Sequence, residues 1–157
     1  MKNIFAAFIC MLILISGHTQ TVIKGSYAIK NVQTGKVLRI KDANSKDGTP
    51  IVAYDPVNWK CVTWDFQHVD GQTYQLKNLF SGKTLQPVNT NVADGDALNE
   101  QPISDDANQQ YEFIPLEKNI YLIKIKVKDL YITPSDKDGK VNSQIILAKK
   151  DGSKLQQ

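Results

Sequence analysis

The chain predicts an all-β domain of three similar units, about twelve short strands related by a pseudo-threefold axis and closed into a barrel. Three observations carry that expectation: apolar residues recur at the spacing of strands, turn residues are dense, and the sequence repeats itself every 47 residues. With 41% apolar and 22% charged residues in 157, the composition is that of one ordinary globular domain, which argues against a disordered or fibrous chain. Nine Gly and six Pro call for many turns, and many turns favour short strands over a helical bundle.

Residues 1–20 stand apart from the domain. Lys2 precedes an apolar run of 12 residues, Ile4 to Ile15. That run is too short for a bilayer, which needs about 20, and has the form of a secretory signal. The small residues Ser16, Gly17 and Thr19 put cleavage between 17 and 20. Cys10 lies within the apolar run, after Ile9 rather than a small residue, which speaks against a lipid-anchored N-terminus. The expectation is a protein secreted or held outside the cytoplasm, in a periplasm or at a cell surface, with a single domain over 21–157 and no membrane insertion.

Beyond residue 20, 18 Lys and Arg face 16 Asp and Glu. The basic residues are scattered, and Lys124, Lys126 and Lys128 alternate along one strand-like run, so no nucleic-acid partner is indicated. Cys61 is the single cysteine after cleavage, which excludes an internal disulfide and leaves stability to a core.

The repeat is visible by sliding the sequence along itself. Tyr27-Ala28-Ile29-Lys30-Asn31 returns as Tyr74-Gln75-Leu76-Lys77-Asn78 and as Tyr121-Leu122-Ile123-Lys124-Ile125. Ten of 47 positions are identical between the first two copies without a gap, among them Asn31/Asn78, Gly35/Gly82, Leu38/Leu85 and Gly48/Gly95, where chance gives about three. The third copy keeps the apolar beat, with Leu38, Leu85 and Ile132 in register and Ile51, Leu98 and Ile145 likewise. The copies span 26–72, 73–119 and 120–157.

Within copy one the elements follow in order. Tyr27 and Ile29 alternate with Ala28 and Lys30 as a first strand; Thr34-Gly35-Lys36 turns into a second, Val37 to Ile40. Asp47-Gly48 precedes a third, Ile51 to Tyr54, and Val62 to Phe66 forms a fourth before Asp70-Gly71. The Asp-Gly and Thr-Gly pairs supply the positive φ that tight hairpins need.

A Tyr-x-Ile-x-Asn strand, then Gly-Lys-x-Leu, then Asp-Gly-x-x-Ile, then a closing Trp-x-Phe resembles the repeat of the ricin B-type lectins, which are β-trefoils. The resemblance covers residues 26 to 157. The family's closing Gln-x-Trp maps to Val62-Thr63-Trp64 in copy one and Gln109-Gln110-Tyr111 in copy two, and would begin at Gln156-Gln157 in copy three. The third copy is thus incomplete at its C-terminus. Either the chain continues for about nine residues, beginning with an aromatic, or the protein lacks a twelfth strand. The first is favoured, because an open barrel leaves ladder groups unpaired.

Catalysis has little to draw on. His68 and Cys61 lie seven residues apart on one strand and its turn, without a metal-spaced neighbour. The adjacent carboxylates Asp105 and Asp106 point to opposite sides of an extended chain. Asp42-x-Asn44-x-x-Asp47-Gly48 and Asp136-x-Asp138-Gly139 have the look of calcium loops, but the first lacks the glycine and acid spacing of an EF-hand, and turn chemistry accounts for both. The chain reads as a non-enzyme that needs no cofactor or metal.

The resemblance implies where a sugar would sit: an acidic residue after the Leu of the second strand, polar and aromatic residues on the third, and the Asn-Gln that opens the closing signature. These positions hold Arg39, Val52, Tyr54, Cys61 and Val62 in copy one; Gln86, Asn99, Gln101, Asn108 and Gln109 in copy two; and Thr133, Ile146, Ala148, Leu155 and Gln156 in copy three. No copy keeps the family's Asp, which puts its galactose mode in doubt. Copy three offers almost no polar group. Copy one keeps a ring at Tyr54 and adds Trp59, which has no counterpart core position in the other copies. The expected carbohydrate site is therefore copy one, with Tyr54 and Trp59 as stacking platforms, Asp42, Asp55 and Asn58 as acceptors, and Arg39 as a donor suited to an anionic sugar. Copy two, through Gln86, Asn99, Asn108 and Gln109, is the weaker candidate for want of a ring. The function expected is a non-catalytic carbohydrate-binding module for a saccharide or glycoconjugate. The alternative is a protein-binding trefoil, a protease inhibitor or surface interaction domain.

Overall fold

The computed structural model describes residues 22–157, so the signal-like segment read at 1–20 lies outside the described residues. Copy one forms β1 (Ser26–Tyr27), β2 (Val37–Ile40), β3 (Ile51–Tyr54) and β4 (Trp64–Asp70). Copy two forms β5 (Thr73–Asn78), β6 (Thr84–Pro87), β7 (Leu98–Gln101) and β8 (Gln110–Glu117). Copy three contributes β9 (Ile120–Ile125), β10 (Tyr131–Pro134) and β11 (Ile145–Ala148). The architecture is the expected all-β trefoil.

Backbone hydrogen bonds around the axis display the threefold relation directly. The N–H groups of Gly48, Gly95 and Asn142, 47 residues apart, donate to the carbonyls of Glu100, Leu147 and Ala53 at 2.9, 2.8 and 2.8 Å. Each receiving residue donates its own N–H back, to the carbonyls of Thr49, Asp96 and Ser143. Each copy is thereby clasped to the next. The conformation needed is left-handed at all three positions, with φ of 83°, 91° and 64°. Glycine reaches it freely in copies one and two, and asparagine, the side chain that best tolerates it, substitutes in copy three. Asp47-Gly48, expected only as a hairpin turn, and its equivalent Asp94-Gly95 are thus contacts between copies.

Core positions follow the same register. Leu38, Leu85 and Ile132, with Ile51, Leu98 and Ile145, are all buried in one cluster. Phe66, Tyr74 and Phe113 pack at centroid distances of 5.0 to 5.7 Å beneath them. The closing aromatics are equivalent in chemistry as well as place. The Trp64 indole N–H donates to the Leu38 carbonyl at 3.3 Å, and the Tyr111 hydroxyl donates to the Leu85 carbonyl at 3.2 Å. Complete burial pushes the Tyr111 phenol far above its usual range. Asn31 and Asn78 owe their shared identity to a double role: Oδ1 accepts backbone N–H groups of the following turn, while Nδ2 reaches carbonyls of the preceding copy's closing loop.

Two departures from strict threefold symmetry stand out. The first is strand number: the described residues hold eleven strands rather than about twelve. The main sheet runs β1-β4-β5-β8-β9-β10-β11, with β2-β3 and β6-β7 as separate hairpins, and it is not closed between β1 and β9. An apolar groove of about 850 Å³ lies there, lined by Ile23, Tyr27, Phe66, Phe113 and Tyr121 among others. Short 3-10 turns lead into β4 (Lys60–Val62) and β8 (Ala107–Gln109), and the matching turn Lys154–Gln156 ends the third copy. The second departure is Glu100. It is fully buried at the core position held by Ala53 and Leu147, and neither carboxylate oxygen has a hydrogen-bond partner among the described residues.

Candidate functional site

Strand pairing settles which side chains share a rim. Across each two-stranded hairpin, Arg39 faces Val52, Gln86 faces Asn99 and Thr133 faces Ile146. The three rims are therefore the same place in three chemical versions.

In copy one the rim is a stack of cation and rings. The Arg39 guanidinium lies over the Tyr54 ring, 3.9 Å from its centroid, and 5.8 Å from the Trp59 ring; the two rings are 6.2 Å apart and tilted by 30°. Contact with a ring face stabilises the cation in part but supplies neither a counter-ion nor a hydrogen-bond acceptor. The cost to a sugar is that the Tyr54 face expected as a stacking platform is already covered by Arg39. Trp59 is the ring left to a ligand, being 50% exposed. Its loop is held in place from behind, since the Trp59 carbonyl accepts the Thr63 hydroxyl at 2.9 Å and the Val62 N–H at 3.3 Å. Of the expected acceptors, Asp55 is ion-paired with Lys36 at 2.5 Å, a partner the sequence reading missed although Lys36 recurs as Lys83 in the repeat. Asp42 is exposed just after β2 with φ of 55°, and Asn58 is exposed beside Trp59.

Copy two is an amide network turned inward. Gln109 is buried; its side-chain N–H₂ donates to Gln86 Oε1 at 2.8 Å and the Pro102 carbonyl at 2.9 Å, while its Oε1 accepts the Ser104 N–H at 2.9 Å and Gln75 Nε2 at 3.0 Å. All four of its hydrogen-bonding positions are filled. Gln109, expected on the sugar rim, is a clamp on the 102–104 loop. Gln156 makes the equivalents of two of these bonds in copy three, accepting the Asp151 N–H and donating to the Lys149 carbonyl. The Gln of the closing signature is thus structural, and copy one replaces it by the buried apolar set Val37, Cys61 and Val62. Asn108 donates weakly to the Thr90 carbonyl at 3.4 Å, and Gln86, Asn99 and Gln101 remain partly exposed with acceptor and donor capacity. In copy three the Thr133 hydroxyl is buried and donates to the Leu155 carbonyl.

The loops that look like calcium sites are organised as turns. Asp136 accepts the N–H groups of Asp138 and Lys140, each at 3.0 Å, and the bond from Lys140 leads those that hold its carboxyl below the usual range. In the other loop, Asn44 accepts the Lys46 N–H, and Asp47 pairs with Lys83. His68, exposed, contacts the Gly71 carbonyl at 3.0 Å and leans edge-on against Tyr74.

The fold has well-defined relatives. The designed threefold-symmetric protein ThreeFoil superposes with a TM-score of 0.81 at 21% identity, over 84% of this chain and 94% of that one. The Rhizoctonia solani agglutinin gives 0.77 at 17% identity, covering 87% and 93%. A ricin B-like lectin of Macrolepiota procera, solved with lactose, gives 0.72 at 22% identity, covering 87% and 94%. No curated protein sequence matches the chain. Residues 60–148, more than half of the chain, match the sequence profile described as the ricin-type beta-trefoil lectin domain-like family. The chain belongs to that family.

Proposed function

We propose that the protein is a secreted, non-catalytic carbohydrate-binding module whose working site is the copy-one rim, the pockets of copies two and three being degenerate. The observation that carries the reading is Trp59, a half-exposed indole on a braced loop beside a buried cation. Saccharides bind by laying an apolar ring face on an aromatic and directing hydroxyls to polar groups at its edge. Trp59 offers the platform, with Arg39 5.8 Å from its ring as a donor and its chain neighbour Asn58 as an exposed acceptor. Family membership supports the same direction, as does the lactose bound by the Macrolepiota lectin.

Titration of a glycan panel into the folded protein and its Trp59→Ala and Tyr54→Ala variants tests this. Both variants are expected to weaken binding, Trp59→Ala by removing the platform and Tyr54→Ala by freeing Arg39 from its stack. Unchanged affinity in both would remove copy one as the site. Failure of every glycan would turn the reading to a protein partner, such as a protease or a surface protein.

A further inference from the structure

We propose that the copy-one rim selects saccharides carrying a carboxylate, uronic or sialic acids, with the Arg39 guanidinium as the recognising group. The proposal rests on the carbohydrate-binding reading of this rim and adds the chemical class of its ligand.

Arg39 is only 7% exposed, yet it forms no ion pair and its Nε has no hydrogen-bond partner among the described residues. The ion pairs among the described residues are Asp55 with Lys36, Asp47 with Lys83, and Glu112 with Lys124, and none includes Arg39. A buried cation without a counter-ion is costly unless something supplies charge and acceptors. The Tyr54 ring centroid lies 3.9 Å from the guanidinium carbon, a contact that supplies no hydrogen-bond acceptor for the N–H groups at the guanidinium's edge. The edge is where two parallel N–H groups meet a carboxylate in a bidentate pair, the geometry that distinguishes arginine from lysine. A neutral hydroxyl also accepts from that edge, but without the charge. Trp59, 5.8 Å from the same guanidinium, is spaced to stack the sugar ring whose carboxylate reaches Arg39.

The preference is specific to copy one, since copies two and three place Gln86 and Thr133 at the equivalent position. Asp42 is the acid that could oppose an anion from β2's end; it is exposed and solvated. The Asp55 charge is balanced by Lys36.

Calorimetric titration of an oligogalacturonide, its methyl ester and a neutral galactose oligomer into the protein provides the test. The acid is expected to bind about tenfold or more tightly than the ester, with an advantage that shrinks as salt is raised. Arg39→Gln should bring the acid's affinity down to that of the ester, and Arg39→Lys should keep a reduced preference because the charge remains and the fork is lost. Equal binding of acid and ester, a comparison that needs no variant, overturns the proposal, as does a preference that survives in Arg39→Gln. Neutral oligomer binding that is lost in Trp59→Ala, together with no gain from the carboxylate, would defeat the anionic assignment alone. Absence of binding by any saccharide would defeat the carbohydrate reading with it.

Discussion

The rims of copies one and two share a backbone and differ in how their polar groups are engaged. Copy one places a cation against a ring, with a second ring beside it, and leaves the cation without an ion pair and its Nε without a hydrogen-bond partner among the described residues. Copy two places amides in the same positions and fills Gln109's four bonding positions within the protein. A polar side chain in a family's binding position is therefore available to a ligand only when the fold has not already used it. Counting polar residues favours copy two. A buried cation without an ion pair beside a half-exposed indole favours copy one.

The frame common to both rims is the place for the largest effect. Leu85→Ala removes a fully buried side chain next to Gln86 and is expected to cost about 2 to 5 kcal/mol in denaturant unfolding. A loss well below that range would show that the hairpins are not anchored through the threefold core. Next comes the clamp that separates the two rims. Gln109→Ala leaves the Ser104 N–H and the Pro102 carbonyl without their partner, with an expected cost of about 1 to 3 kcal/mol by the same unfolding measurement. Wild-type stability in that variant would return Gln109 to the list of residues free for a sugar.

A third effect concerns the acid beneath copy two. Burial outweighs the opposing influence of Ser81 and Lys83 and raises the Glu100 carboxyl above its ordinary 4.5. The folded state then holds its proton to higher pH than the unfolded state does. On this group's account, stability is greatest below about pH 4.5 and falls as pH rises through the folded value. Glu100→Leu, which installs the residue of copy three, should raise the melting temperature at neutral pH and give a smaller gain or none near pH 4. A constant difference across that interval would mean that the carboxylate is not the cause.

The fold was legible because 47 residues is a spacing that survives divergence: Gly48 and Gly95 keep their conformation, and Asn142 replaces glycine without changing it. The positions of the rims were legible for the same reason, as the facing pairs Arg39 and Val52 and Gln86 and Asn99 demonstrate. What the side chains do there was not. That Arg39 lies on Tyr54, that Lys36 takes Asp55, and that Gln75 completes the Gln109 network depend on rotamers and on contacts between strands far apart in sequence. The residue pattern holds the seat but not the direction in which a long side chain leaves it. The register assigns Trp59 no core role, and the residue is half-exposed.

The smallest expected effect on stability falls on that residue: Trp59→Ala should stay within about 0.5 kcal/mol of wild type, since half of the side chain is already in water. Its effect on binding should be much larger, and amide and indole resonances recorded by NMR during titration of an acidic oligosaccharide read both rims at once. The Trp59 indole N–H, the Arg39 side-chain N–H and backbone amides from 52 to 59 are expected to shift in proportion to bound ligand, while the side-chain amides of Gln86, Asn99 and Gln109 stay in place. Shifts confined to the copy-two amides, or none in either rim at saturating ligand, would contradict the assignment of binding to the unengaged cation and indole of copy one.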